Sequence, residues 1–518
     1  LILSGLCGTF VATAATDTRL ADAVRAGDSV TALALIARHA DANAMQPDGS
    51  TALLWAAHND DLKMSEALLK GGASVKIANR YGISPLTEAA VNGNSAMVRM
   101  FLDAGADPNT ALPEGDTVLM LASRAGSLDA VKSLVEHGAN VNAKESFHDE
   151  TALMWAAGEN QPEIIRYLAA HGAQIDLHAK EMKYPETKDM KQKASATPVS
   201  TYPKGGLTAL MEAARQNSFE AAQALLEAGA NPNEKSPDRM STLVIAVANA
   251  HWDLANLLIE HGADVNDGSL AVAVTMKSAP LMRAASYHPD KMTSVDFIKA
   301  SLARGAKPDQ TLNDPLPAKG SQFVNGLYAA PDDSTALYRA AKAADYSLMK
   351  ILIDAGANAK IVIKDGSSPL MISMGVGGRR GGNNQGDGNY GAVELQEDAM
   401  MKAATLCLEQ GADINVADAS GETALHGVAG RGSDRLVQFL VDHGAKTDLK
   451  DKQGRTPLDV ANGKGGGRGG TDAPPQVHPT TVALLRKLMG LPAQEAESAS
   501  AKAPADKAQA NIAKPASE

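Results

Sequence analysis

Two apolar phrases alternate along most of the chain. The first opens on Ser or Thr, carries Leu or Val two residues on in most copies, and has small residues near its centre. It reads TALLWAA from Thr51, SPLTEAA from Ser84, TVLMLAS from Thr117, TALMWAA from Thr151 and TALMEAA from Thr208. It continues as STLVIAV from Ser241, TALYRAA from Thr335, SPLMISM from Ser368, TALHGVA from Thr423 and TPLDVAN from Thr456. The second phrase closes on Gly-Ala, as in LLKGGA at 68–73, FLDAGADPN at 101–109, LVEHGANVN at 134–142, LLEAGANPN at 225–233 and CLEQGADIN at 407–415. The openings at Thr51, Ser84, Thr117 and Thr151 are 33, 33 and 34 residues apart.

Each unit has a mechanical reading. A Ser or Thr hydroxyl caps the amides of a short helix, and a central Ala pair lets a neighbouring helix come close. A polar turn then leads to a second helix with Leu or Val spaced to face inward. Gly before Ala suits the left-handed position that ends that helix. Pairs such as Asp48-Gly49 and Asp365-Gly366 make a hairpin tip toward the next unit.

These motifs resemble the ankyrin repeat over residues 18–490, in about twelve units. The resemblance implies an all-α-dominated repeat solenoid of helix-turn-helix pairs with β-hairpin fingers along one edge, of the kind found in exported bacterial ankyrin repeat proteins. It also implies protein recognition on a concave face. One departure recurs: the family's His after the Leu is kept at His426, while Met120, Met154 and Met211 are among its replacements. Less rigid helix starts are expected there.

Insertions near 177–203, 310–332, 375–397 and 463–476 interrupt the period, and the eighth unit, from Pro280, carries extra residues between its helices. The third insertion, with GVGGRRGGNNQGDGNYG, and the 491–518 tail are too poor in apolar residues to fold. The first and last units depart most from the pattern, as caps of an open stack do.

Composition narrows the function. Lys and Arg total 49 against 60 Asp and Glu, a net charge of −11, which disfavours nucleic acid and anionic membranes. Two cysteines exclude a disulfide scaffold. Residues 1–15, LILSGLCGTFVATAA, are uncharged and end in small residues, the pattern of a signal peptide remnant cleaved near Ala14 or Ala15. No N-x-Ser/Thr acceptor occurs, which favours a bacterial route, so a periplasmic or secreted protein without membrane insertion after cleavage is expected.

Chemistry-bearing residues are weighed by their place in the unit. His137, His171, His261 and His443 all precede Gly-Ala, at a helix end where a cation complements the dipole. Neighbouring units lie about 10 Å apart, too far for these residues to share an ion. The Gly-rich stretches lack the Gly-Lys-Ser/Thr ending of a phosphate loop, and Cys407 sits at a core position. No catalytic, metal or cofactor site is expected. Trp252 takes a slot that faces the core. Trp55 and Trp155 take the slot two after the Leu, held elsewhere by Glu88, Leu121, Glu212 and Arg283, and this variation points to an exposed inner-helix face. Aromatics on such a face are candidate anchors. With them go His58, Asn59, Tyr81, Glu88, Arg124, Phe147, Glu159, Arg215 and Gln216. The expected function is non-catalytic recognition of an unidentified protein by a monomer. An effector exported to act on host proteins, or an enzyme using the inserted loops, are the alternatives.

Overall fold

A computed structural model describes residues 17–182, 204–278, 290–311, 333–376, 393–464 and 477–492. The signal remnant 1–15 lies outside the described residues, as do most of the four insertions, the phrase from Pro280 with Arg283, and nearly all of the tail. The expectation that this phrase opens the eighth unit is corrected: Ser269–Ser278 packs between the neighbouring inner helices and is the inner helix of that pair.

The described residues form 24 helices that alternate between an inner and an outer member of a pair. The first five pairs are α1 (Arg19–Arg25) with α2 (Ser29–Ala37), α3 (Ala52–His58) with α4 (Leu62–Lys70), α5 (Pro85–Val91) with α6 (Ser95–Asp103), α7 (Val118–Arg124) with α8 (Leu128–Glu136), and α9 (Ala152–Gly158) with α10 (Pro162–Ala170). Strands β1 (Glu181–Met182) and β2 (Lys204–Gly205) follow and pair antiparallel, Glu181 opposite Gly205. Then come α11 (Ala209–Gln216) with α12 (Phe219–Glu227), α13 (Thr242–Ala248) with α14 (Trp252–Glu260), α15 (Ser269–Ser278) with α16 (Ser294–Ala303), α17 (Ala336–Lys342) with α18 (Tyr346–Asp354), and α19 (Pro369–Ser373) with α20 (Val393–Glu409). The last pairs are α21 (Ala424–Ala429) with α22 (Asp434–Asp442) and α23 (Pro457–Ala461) with α24 (Pro479–Leu488). The chain is a helical repeat solenoid. It divides into two compact units, one holding α1 to α20 up to Asp413, the other Met374–Val376 and the chain from Ile414. Within each unit, inner helices pack on inner helices and outer on outer.

Local chemistry explains each pair. The hydroxyls of Thr51, Ser84, Thr117 and Thr151 accept from the amides of Leu54, Thr87, Met120 and Met154 at 3.2–3.4 Å. Outer helices start on Asp61 or Asn94, whose side chains accept from Met64 and Met97. Their ends follow a six-to-one pattern: Ala73 donates to the Leu68 carbonyl at 2.9 Å and Gly72, at φ +89°, to Leu69. The Ala56-Ala57, Ala89-Ala90, Ala156-Ala157, Ala213-Ala214 and Ala340-Ala341 pairs are wholly buried. Trp252 is buried too, its ring 5.7 Å from that of Phe297 on α16.

The loss of the family His leaves some helix starts better tied than expected. At α21, His426 Nδ1 accepts from the Thr423 amide and Nε2 reaches the Arg455 carbonyl. At α5 the Thr87 hydroxyl oxygen accepts from the Ser84 amide at 2.7 Å, and at α7 the Met120 sulfur accepts from Thr117. Other acceptors fill the role at these two starts.

A ladder of Asn side chains ties several outer-helix ends to the next. Asn109 donates to the Gly138 carbonyl and accepts from the Asn140 amide; Asn142 does the same with Gly172 and Gln174, and Asn233 with Gly262 and Asp264. Asn43 starts the series on Gly72 and Ser74. The equivalent position in the second pair is Lys76, whose chain lies against Gly105. Lys76→Asn can add the missing rung, toward the Gly105 carbonyl and the Asp107 amide. It should raise stability by about 0.5–1 kcal/mol, seen as a higher urea midpoint at unchanged slope. An unchanged or lower midpoint would show that the rung contributes nothing.

Candidate functional site

The inner helices, their ends and the fingers of the first unit carry the candidate partner-binding residues. Trp55 lies on α3, and its indole Nε1 donates to Gln46 Oε1 at 2.6 Å, in the finger before its own helix. Gln46 in turn donates to Asp22 on α1 at 2.6 Å. The Arg25 guanidinium stands 4.8 Å above the indole, and His58 meets it edge-on at 5.5 Å. Trp155 repeats the device: its Nε1 donates to Glu150 Oε2 at 3.0 Å, and Arg124 lies 4.9 Å over its ring.

This arrangement corrects the expectation that the slot is exposed. Both indoles are half-buried. The equivalent Leu121, Ile245, Arg339 and Ile372 are at most 5% exposed, and Glu212 is buried. The slot lies between its own finger and the preceding inner helix, so its variety reflects different ways of filling a crevice. Trp55 and Trp155 therefore brace fingers while remaining partly open to solvent.

The remaining residues divide. His58 is exposed and its Nδ1 sits 3.2 Å from Glu88 Oε2, linking the second and third inner helices. Asn59 donates to the Val24 carbonyl at 2.8 Å, a tie between pairs. Glu159 and Gln216 are exposed on the same row, and Arg215 is exposed while holding buried Glu212 at 2.6 Å. Tyr81 and Phe147 stand on finger tips, 54% and 60% exposed. The structure thus brings together Trp55, His58 and Glu88, and separately Arg124 with Trp155. It leaves Tyr81 and Phe147 apart from both groups. Sequence reasoning missed Arg25, Gln46 and Glu150. Arg25 and Arg124 occupy the His58 slot one unit before each Trp, a signal visible only when slots are compared across neighbouring units.

Carboxylates dominate the electrostatics here. Burial would raise Glu145, but the amides of Glu150, Phe147 and His148 outweigh it and hold the carboxyl below its ordinary value. Burial raises Asp116, helped by the Glu145 charge, and burial raises Glu212 against the pull of Arg215. Elsewhere, His137 Nδ1 lies 2.7 Å from the Ser133 carbonyl, and His171 and His443 repeat this with Tyr167 and Phe439, so helix-end carbonyls occupy these rings. No three metal-ligating side chains converge among the described residues. Cys407 is buried, and burial pushes its thiol up to about 12.

Comparison with known proteins adds family evidence. The family model for ankyrin repeats (three copies) matches residues 20–112, 105–179, 188–269, 210–312 and 392–466, more than half of the chain. The chain is similar to the E3 ubiquitin-protein ligase KEG of Arabidopsis thaliana, 25% identical over 72% of this chain and 22% of that one. It is 30% identical to the ankyrin repeat and KH domain-containing protein mask-1 of Caenorhabditis elegans over 38% of this chain and 8% of that protein. It is 22% identical to the human transient receptor potential cation channel subfamily A member 1 over 82% of this chain and 33% of the channel. The matched part spans a third or less of each of these relatives.

The bracing role of the indoles sets a clear expectation. Trp155→Ala should destabilise the chain by about 2 kcal/mol or more, since it removes half-buried ring contacts and the Glu150 bond, whereas a freely exposed residue costs within about ±0.5 kcal/mol. Urea unfolding distinguishes these. A cost inside the smaller range would restore the exposed reading.

Proposed function

The chain belongs to the ankyrin repeat family, and from that premise we propose that it is a non-catalytic recognition module or scaffold that binds a protein partner on the face made by inner helices and fingers. Ankyrin repeats serve protein–protein interaction, and the observation that supports this face is its mixture of exposed polar groups and finger-tip aromatics on braced fingers. Interfaces are built this way, with aromatic anchors amid polar groups. The ligase and channel named among the relatives are much longer proteins, and this chain matches a third or less of each, which supports reading the shared part as a binding module. The partner is a protein rather than nucleic acid, in keeping with the net charge of −11. We take the chain to act as a monomer. No helix among the described residues is long and apolar enough to cross a membrane.

Affinity capture from an extract of the native host, with the tagged full chain, tests the face. Reversing charge or adding it on the inner row, with His58→Glu and Arg215→Glu, should abolish recovery of a partner that the unaltered chain retains. Arg99→Glu and Arg166→Glu on outer helices should leave recovery intact. The opposite pattern would place the interface on the outer helices.

We also propose export to the periplasm or medium, of the kind seen in exported bacterial ankyrin repeat proteins, supported by the uncharged 1–15 run with its small-residue end. N-terminal sequencing of native protein should then begin at Ala15 or Thr16. A product that keeps residues 1–15 would contradict it.

A further inference from the structure

The third residue of each of the first four fingers is, in order, Asp48, Tyr81, Glu114 and Phe147, at intervals of 33 residues. Charge and aromatic ring alternate at one equivalent position. The first three fingers close alike, with the Gln46 amide donating to the Ser50 carbonyl, Asn79 to Ile83 and Leu112 to Asp116; the fourth is one residue longer, the Glu145 amide donating to Glu150 while its carboxylate accepts from Phe147 and His148. They also touch. The Arg80 amide donates to the Asp48 carbonyl and the Ser146 amide to the Glu114 carbonyl, both at 2.9 Å. Between the second and third fingers Pro113 has no amide to give. There Gly82, at φ +76°, lets the proline ring in, since a Cβ on it would lie 2.8 Å from Pro113 Cδ. The tips therefore form one row in register.

Side chains along the row remain available. Tyr81 is 54% exposed although Arg80 covers one face of its ring, and Phe147 is 60% exposed. Glu114 is exposed between them. Asp48 is half-buried and engaged by Ser50, whose amide bond, with the hydroxyl, holds the carboxyl below its ordinary value and keeps it anionic.

Spacing selects the ligand's conformation. Stacked helix layers put neighbouring fingers about 10 Å apart. A polyproline II helix advances about 9.3 Å per three-residue turn and presents residues i, i+3 and i+6 on one face. A β-strand covers a similar distance in three residues, but its two-residue period turns every second such residue away. We propose that the row Asp48, Tyr81, Glu114, Phe147 binds a proline-rich basic segment of a partner protein in the polyproline II conformation, with cationic and apolar residues alternating at every third position. This rests on the recognition function above and specifies its ligand. Cations meet Asp48 and Glu114, while Pro or Leu packs on Tyr81 and Phe147, as aromatic surfaces accept such helices elsewhere.

Two fluorescein-labelled synthetic peptides test it on the full chain by anisotropy. One is Arg-Pro-Pro-Leu-Pro-Pro-Arg-Pro-Pro-Leu; the other has one more Pro in each interval, so its side chains fall four apart. The first should bind at least tenfold more tightly than the second. Glu114→Lys, and Tyr81→Ala with Phe147→Ala, should each weaken it at least tenfold, with unfolding midpoints confirming that these exposed variants stay folded. Equal binding of both peptides, or indifference to the tip variants, would overturn the row and leave plain charge attraction. No binding of the first peptide up to millimolar concentration, in a chain that still captures a partner through the inner row, would overturn this ligand class while leaving the recognition function standing.

Discussion

Within each unit helix pairs are covered by their neighbours, and the closeness of that stacking is what the rest of the structure depends on. A pair of seven- and nine-residue helices such as α3 and α4 is too short to persist alone in water. Its apolar face is covered only when inner helix meets inner helix and outer meets outer. The Ala pairs at the centre of the inner helices set the distance of approach, and five such pairs are wholly buried. A larger side chain there would push adjacent layers apart and, with them, the fingers. Low aromatic content, 4% of the chain, follows from the same requirement.

Polar chemistry then fixes what apolar packing leaves adjustable. Ser and Thr caps decide where inner helices begin, and the Asn ladder couples successive outer-helix ends. The two tryptophans couple a finger to its own helix through the indole N–H and to the preceding helix through an arginine. Glu145 organises the fourth finger by accepting three backbone amides. Its carboxyl is held below the ordinary value, so that contribution is present above about pH 4.3 and fades as pH falls through the lowered value. A recognition face made of fingers needs such bracing, because ordering loose loops on binding is costly.

Much of this was legible in the sequence because the period is physical. A recurring Ser or Thr, an Ala pair and a Gly-Ala ending each correspond to one local interaction, and the structure shows each interaction in place. The core role of Trp252 followed from the same alignment of slots. The sequence misleads on the exposure of Trp55 and Trp155, because variety at a slot does not require solvent contact. A crevice between a finger and a helix accepts Trp, Leu, Ile, Glu or Arg equally, provided the polar ones find partners. Those partners, Gln46, Glu150, Arg25 and Arg124, come from another element or the preceding unit. A reading confined to one unit at a time does not see them. Tyr81 and Phe147 stand among the sequence candidates, but their finger-tip position and their alternation with Asp48 and Glu114 become visible only from the register the fingers share.

We propose one edge of the stack, inner helices and fingers together, as the working surface, with the outer helices supporting it. Hydrogen–deuterium exchange of the chain, alone and with a captured partner, reads this directly. Added protection is expected in segments spanning 46–58, 79–91, 112–124 and 145–159, with α4, α6, α8 and α10 unchanged. Protection concentrated on those outer helices, with the fingers exchanging as in the free chain, would contradict it.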